Sequence, residues 1–126
     1  PSFSQESQTD EDLTQSVIGT WEHVISTDPD GNQQSYQRQI ELFADGTGIC
    51  TKVIDGEEVK LPFFWDVQDG AIMLYVLDKR GNRINTDSQL IWDIDANQMN
   101  LASVWESEEY GMASLYERKT TEIAKY

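Results

Sequence analysis

A chain of 126 residues is the size of one domain and can bury roughly two thirds of the surface its unfolded form exposes. Hydrophobic residues make up only 38% of it, so the four tryptophans, five tyrosines and four phenylalanines must supply much of the core from few positions. Nine basic against 23 acidic side chains give a net charge of −14, which repels phosphate backbones and anionic headgroups and argues against nucleic acid as a partner. The acidic residues are scattered through strands and turns, as on a solvated surface. No apolar run is long enough for a transmembrane segment, and the single Cys50 excludes a disulfide within the chain.

Residues 1–8 are polar and aperiodic, and we expect them to form a flexible lead to a single domain over 9–126. Thr9 or Asp10 then caps a short helix, with Asp10, Glu11 and Asp12 in its first turn and Leu13 and Val17 on one apolar face. From Gly19 onward, turn signals recur at short intervals. They include Asp28-Pro29-Asp30-Gly31-Asn32, Asp45-Gly46, Asp55-Gly56, Asp69-Gly70, Gly81-Asn82 and Asp95-Ala96-Asn97, with a last turn between Ser107 and Gly111. They delimit strands near 19–27, 34–43, 47–54, 58–68, 71–78, 83–94, 98–105 and 111–119. Hairpin-length links make each strand the antiparallel neighbour of the last, and such a meander loses its two edges only by closing on itself. The expected fold is all-β, an eight-stranded antiparallel up-and-down barrel with a short N-terminal helix.

Alternation assigns faces. Tyr36, Arg38, Ile40 and Leu42 form one inward row. Val59, Leu61, Phe63, Trp65 and Val67 form another, with Pro62 marking a bulge or a break in pairing. Leu90, Trp92 and Ile94 are read as inward against Ile91 and Asp93, as are Met99, Leu101, Ser103 and Trp105, and then Met112, Ser114, Tyr116 and Arg118. The strand Ala71 to Leu77 is apolar on both faces. Its outer row, Met73, Tyr75 and Leu77, is either covered or forms a homodimer contact.

Gly19-Thr20-Trp21, set after a short helical turn and before an eight-strand meander, resembles the start of the lipocalins and the wider calycin group. Arg118 stands where that family places a basic residue across the first-strand tryptophan, so the resemblance implies that Gly19, Trp21 and Arg118 close one end of the barrel. The turn Phe43-Ala44-Asp45-Gly46-Thr47-Gly48 is similar to that of compact bacterial lipocalin-like domains. Those domains are commonly exported, often as lipoproteins, and mostly lack an assigned ligand. The resemblance therefore implies a periplasmic or cell-envelope location. A chain that begins at Pro1 fits this reading, with a leader or lipid-attachment segment already removed, and equally fits removal of a tag.

Catalytic and metal-binding signatures are scarce. Counting from Asp28, an EF-hand loop would need glycine at Gln33 and glutamate at Gln39; counting from Asp93 it would need them at Gln98 and Val104. His23 is the single histidine, inward beside Trp21 and read as a core residue with a satisfied hydrogen bond. No nucleophile elbow, phosphate-cradling loop or zinc spacing is present, so we expect no enzyme, no metal and no cofactor. The expected site is the interior, with Tyr36, Arg38, Ser114 and Tyr116 as polar groups and Trp65, Trp92 and Trp105 as walls. It suits a small apolar or amphipathic ligand, including one with a carboxylate. The alternative is a barrel filled by its own side chains that acts as an interaction or oligomerisation domain.

Overall fold

The computed structural model describes residues 9–103 and 112–119. Helix α1 (Asp10–Val17) is followed by β1 (Gly19–Thr27), β2 (Gln33–Gln34), β3 (Arg38–Leu42), β4 (Thr47–Ile54) and β5 (Glu57–Gln68). Then come β6 (Ala71–Leu77), β7 (Arg83–Ile94), β8 (Gln98–Ser103) and β9 (Ala113–Arg118). All neighbours are antiparallel, and β9 returns to pair with β1 from Trp21↔Arg118 to Thr27↔Ala113, which closes the sheet. Strands β2 and β3 lie along the same edge of β1. Strand β2 pairs with Ser26 and Thr27, and β3 pairs with Gly19 to Glu22. They are one strand interrupted over 35–37, so the barrel has eight strands, as the turn spacing predicts.

The turns form for local reasons. Asp55-Gly56 and Asp69-Gly70 have positive φ at both residues (51° and 81°, 51° and 78°), the geometry that joins twisted strands with two residues. Asp28 Oδ1 accepts hydrogen bonds from the main-chain N–H groups of Asp30 and Asn32 at 3.0 and 2.9 Å, and Asp78 does the same for Arg80 and Asn82 at 2.8 Å. Each carboxylate thereby satisfies turn donors that no strand partner reaches.

Simple alternation fails at three irregularities. The β1–β9 register shifts between His23 and Ile25, the β6–β7 register between Leu74 and Tyr75, and the β7–β8 register between Ile91 and Asp93. An extra residue turns all following side chains to the other face. Ser26 is consequently buried, while Trp92, expected inside, is 59% exposed and Ile91 takes the inward place. Leu90 is also outside, next to Ala71 and Ala102. Pro62 produces no bulge, since it sits opposite Ile49 in an unbroken β4–β5 ladder. Pairing of β5 with β6 covers only Phe64 to Gln68, so the proline lies where no β6 partner requires its missing N–H.

The core lies at the α1 end. Leu13 and Val17 of the helix pack with Trp21, Leu42, Trp65, Val67, Ile72, Ile91 and Met99. The helix is fixed at both ends. At its start, the Thr9 hydroxyl accepts from Asp12 N at 3.0 Å, and both oxygens of Asp10 accept from the β5–β6 turn, from Asp69 N and Gly70 N at 2.9 Å.

Candidate functional site

At the helix C-terminus, carbonyl groups have run out of helical donors and must find others. Trp21 Nε1 donates to Val17 O at 2.9 Å. Arg118 donates from Nη1 to Ile18 O (2.8 Å), from Nη2 to Ser16 O (2.9 Å) and from Nε to Ala96 O (2.7 Å), while its guanidinium lies 4.3 Å from the Trp21 ring centroid. Gly19 has φ +137°, and a Cβ there would collide with Arg118 Nη1. Gly19, Trp21 and Arg118 therefore form the closed floor of the barrel. Trp65 belongs to the same layer: it is 4% exposed and donates from Nε1 to Thr47 O at 2.8 Å.

Above this floor the strands enclose a cavity of about 380 Å³. That volume falls within the range of small-molecule sites. Its floorward half is apolar, lined by Ile40, Leu42, Phe63, Ile72, Met99 and Leu101. Farther from α1 polar side chains join the lining beside Leu61, Leu74 and Met112. Arg38 follows Ile40 along β3, Lys52 follows Cys50 along β4, Ser103 follows Leu101 along β8, and Asp87 and Gln89 lie beyond Ile91 on β7. The cavity is thus amphipathic along its axis.

Arg38 and Lys52 are cross-strand partners and both line this cavity. Two like charges placed opposite each other are destabilising unless something intervenes. Among the described residues the one ion pair, Lys119 with Glu22 at 3.6 Å, lies elsewhere. Arg38 Nε is buried without a hydrogen-bond partner, and its guanidinium sits 4.8 Å from the Tyr36 ring centroid.

On the neighbouring wall, His23 Nε2 is 2.7 Å from Ser26 Oγ, which is in turn 2.7 Å from Ser114 Oγ and 3.2 Å from the Tyr36 hydroxyl. The His23 ring stacks on Tyr36 with centroids 4.0 Å apart and meets the edge of Tyr116 at 5.4 Å. Burial, reinforced by the nearby Arg38 charge, holds the His23 pKa below its ordinary value, and Nδ1 has no partner. His23 is therefore a core histidine satisfied on one nitrogen only. Burial likewise pushes the Tyr116 phenol up, against the pull of Arg38.

No family model matches the chain, and a search of curated proteins returns no match. Solved structures do match. A lipocalin-like protein from Bacteroides uniformis superposes with a TM-score of 0.61 at 14% identity, covering 82% of this chain and 99% of that one. The barrel is lipocalin-like. An uncharacterized protein from Bacteroides eggerthii gives the same TM-score at 12% identity over 81% of this chain and 98% of that one. A de novo designed fluorescence-activating β-barrel reaches 0.53 at 15% identity, covering 89% and 100% respectively. At these identities the likeness extends to the fold.

The lipocalin-like barrel brings together four of the expected site residues, Tyr36, Arg38, Ser114 and Tyr116. Trp65 belongs to the floor, Trp92 faces outward, and Trp105 lies outside the described residues. Of the outer row on β6, Met73 accepts a hydrogen bond from Ser88 Oγ (3.4 Å), Tyr75 donates to Asp66 Oδ1 (3.1 Å), and Leu77 is exposed. Sequence reasoning missed Lys52, Asp87, Gln89 and Ser26. The signal for Lys52 was present in the turn Phe43 to Thr47: counting back from that hairpin sets Lys52 opposite Arg38.

Proposed function

We propose that this lipocalin-like barrel binds a small amphipathic molecule without chemical conversion, its apolar part on the floorward half of the cavity and an anionic group against Arg38 and Lys52. The observation that carries this reading is the pair of adjacent cations that, among the described residues, have no carboxylate partner, inside a chain of net charge −14. A partly buried charge without such a partner is costly, and a ligand carboxylate supplies one through charge-assisted hydrogen bonds. A cavity of about 380 Å³ supports this reading over a barrel filled by its own side chains. Location at the cell envelope belongs to the same proposal.

Isothermal titration with decanoic acid and decanol tests it. Decanoic acid binds one molecule per chain and decanol binds more weakly. Arg38→Met, which keeps the stem and removes the charge, weakens decanoic acid by about tenfold or more. Failure of decanoic acid to bind the folded protein removes the proposal.

A further inference from the structure

The polar half of the cavity carries charge of both signs. In the closed order β1-β3-β4-β5-β6-β7-β8-β9, β3 and β4 stand diametrically across from β7 and β8. Arg38 and Lys52 therefore occupy one wall, and Asp87, Gln89 and Ser103 the wall opposite. The register shift between Leu74 and Tyr75 brings this about: Leu74 pairs with Asp87 and Tyr75 with Asn85, so Thr86 is the extra residue and Asp87 joins Gln89 at the cavity.

Asp87 is held in place there. Its Oδ1 accepts from Ser88 N at 2.9 Å and its Oδ2 from Gln89 Nε2 at 2.9 Å, and that amide also reaches Ser103 Oγ at 3.4 Å. Each carboxylate oxygen keeps further acceptor capacity. No ion pair joins Asp87 to Arg38 or Lys52 across the cavity. Opposite charges that face one space and leave each other unpaired define a dipolar site.

The geometry points to a ligand whose polar head is zwitterionic, a carboxylate turned to Arg38 and Lys52 and an adjacent ammonium turned to Asp87, above an apolar tail. This rests on the binding function proposed above and narrows its ligand class. A purely anionic head leaves Asp87 facing it without compensation. A cationic one meets the two basic side chains.

The test is a titration series on the whole protein with decanoic acid, decylamine and α-aminodecanoic acid, repeated on Asp87→Asn. The amino acid binds about tenfold or more tighter than decanoic acid, and decylamine binds more weakly than either. Asp87→Asn erases the preference for the amino acid while leaving decanoic acid bound at least as tightly as in the parent. If the parent protein binds decanoic acid as well as or better than α-aminodecanoic acid, the zwitterion inference is overturned and the binding function stands. If neither acid binds folded protein, both are overturned. The parent series alone decides the matter should Asp87→Asn fail to fold.

Discussion

The two ends of the barrel use the same residue type in opposite ways. At the floor, Arg118 donates three hydrogen bonds to carbonyl groups and stacks on Trp21. In the cavity, Arg38 has a buried Nε without a partner and a second cation, Lys52, across the strand pair. A guanidinium whose three nitrogens all donate to the protein is a structural element. In Arg38 the buried Nε alone lacks a partner among the described residues, beside a second cation, and the anionic ligand proposed above would complete that arrangement.

The floor is the place to look for the largest loss. Trp21 is fully buried and tied to the helix by its indole N–H, so Trp21→Ala lowers stability by about 3–5 kcal/mol, read from urea unfolding monitored by far-UV circular dichroism. Next come the two arginines, replaced by the same residue. Arg118→Met leaves the carbonyls of Ser16 and Ile18 without their donors and costs about 2 kcal/mol. Arg38→Met removes a charge with no ion-pair partner, so its effect lies between zero and about 1 kcal/mol of added stability. Equal losses from both substitutions would erase the distinction between floor and cavity.

The smallest expected effect is the pH response of His23. Its folded-state pKa lies below the ordinary value, so protonation favours the unfolded chain. The contribution of His23 is constant above about pH 6.5 and declines as the pH falls below that value toward the folded-state pKa. His23→Gln removes this component, and the urea midpoint of the variant changes less than that of the parent between neutral and mildly acidic solution. An unchanged slope would place the acid sensitivity elsewhere.

The floor was legible in the sequence through the resemblance carried by Gly19, Trp21 and Arg118. The rows through Tyr36 to Leu42, Leu61 to Val67, Met99 to Ser103 and Met112 to Tyr116 were legible because alternation is clean there. Strand β7 was misread because two physical effects coincide there. Register shifts on both of its edges change which face a residue occupies, and its cavity-facing row, Asp87 and Gln89, is more polar than its outer row of Leu90 and Trp92. A rule that sends the greasier row inward fails where polar side chains line an interior cavity. Ser26 was hidden by the shift after His23. Because β4 alternates too little in hydrophobicity to assign its faces, Lys52 was legible only through its register opposite Arg38.

The hydrogen bonds that seal the floor join residues far apart along the chain. Arg118 reaches Ile18 across 100 positions and Ser16 across 102, whereas every hairpin from β3 to β8 closes within a short loop. Bringing such distant segments together costs chain entropy before any contact repays it. We expect the hairpins to assemble first and the floor to lock last, its contacts still unmade in the transition state. Weakening the floor should leave the refolding limb of a chevron plot nearly in place while unfolding accelerates. The contact that closes the barrel thus acts as a latch on its lifetime, setting how long the cavity persists once formed.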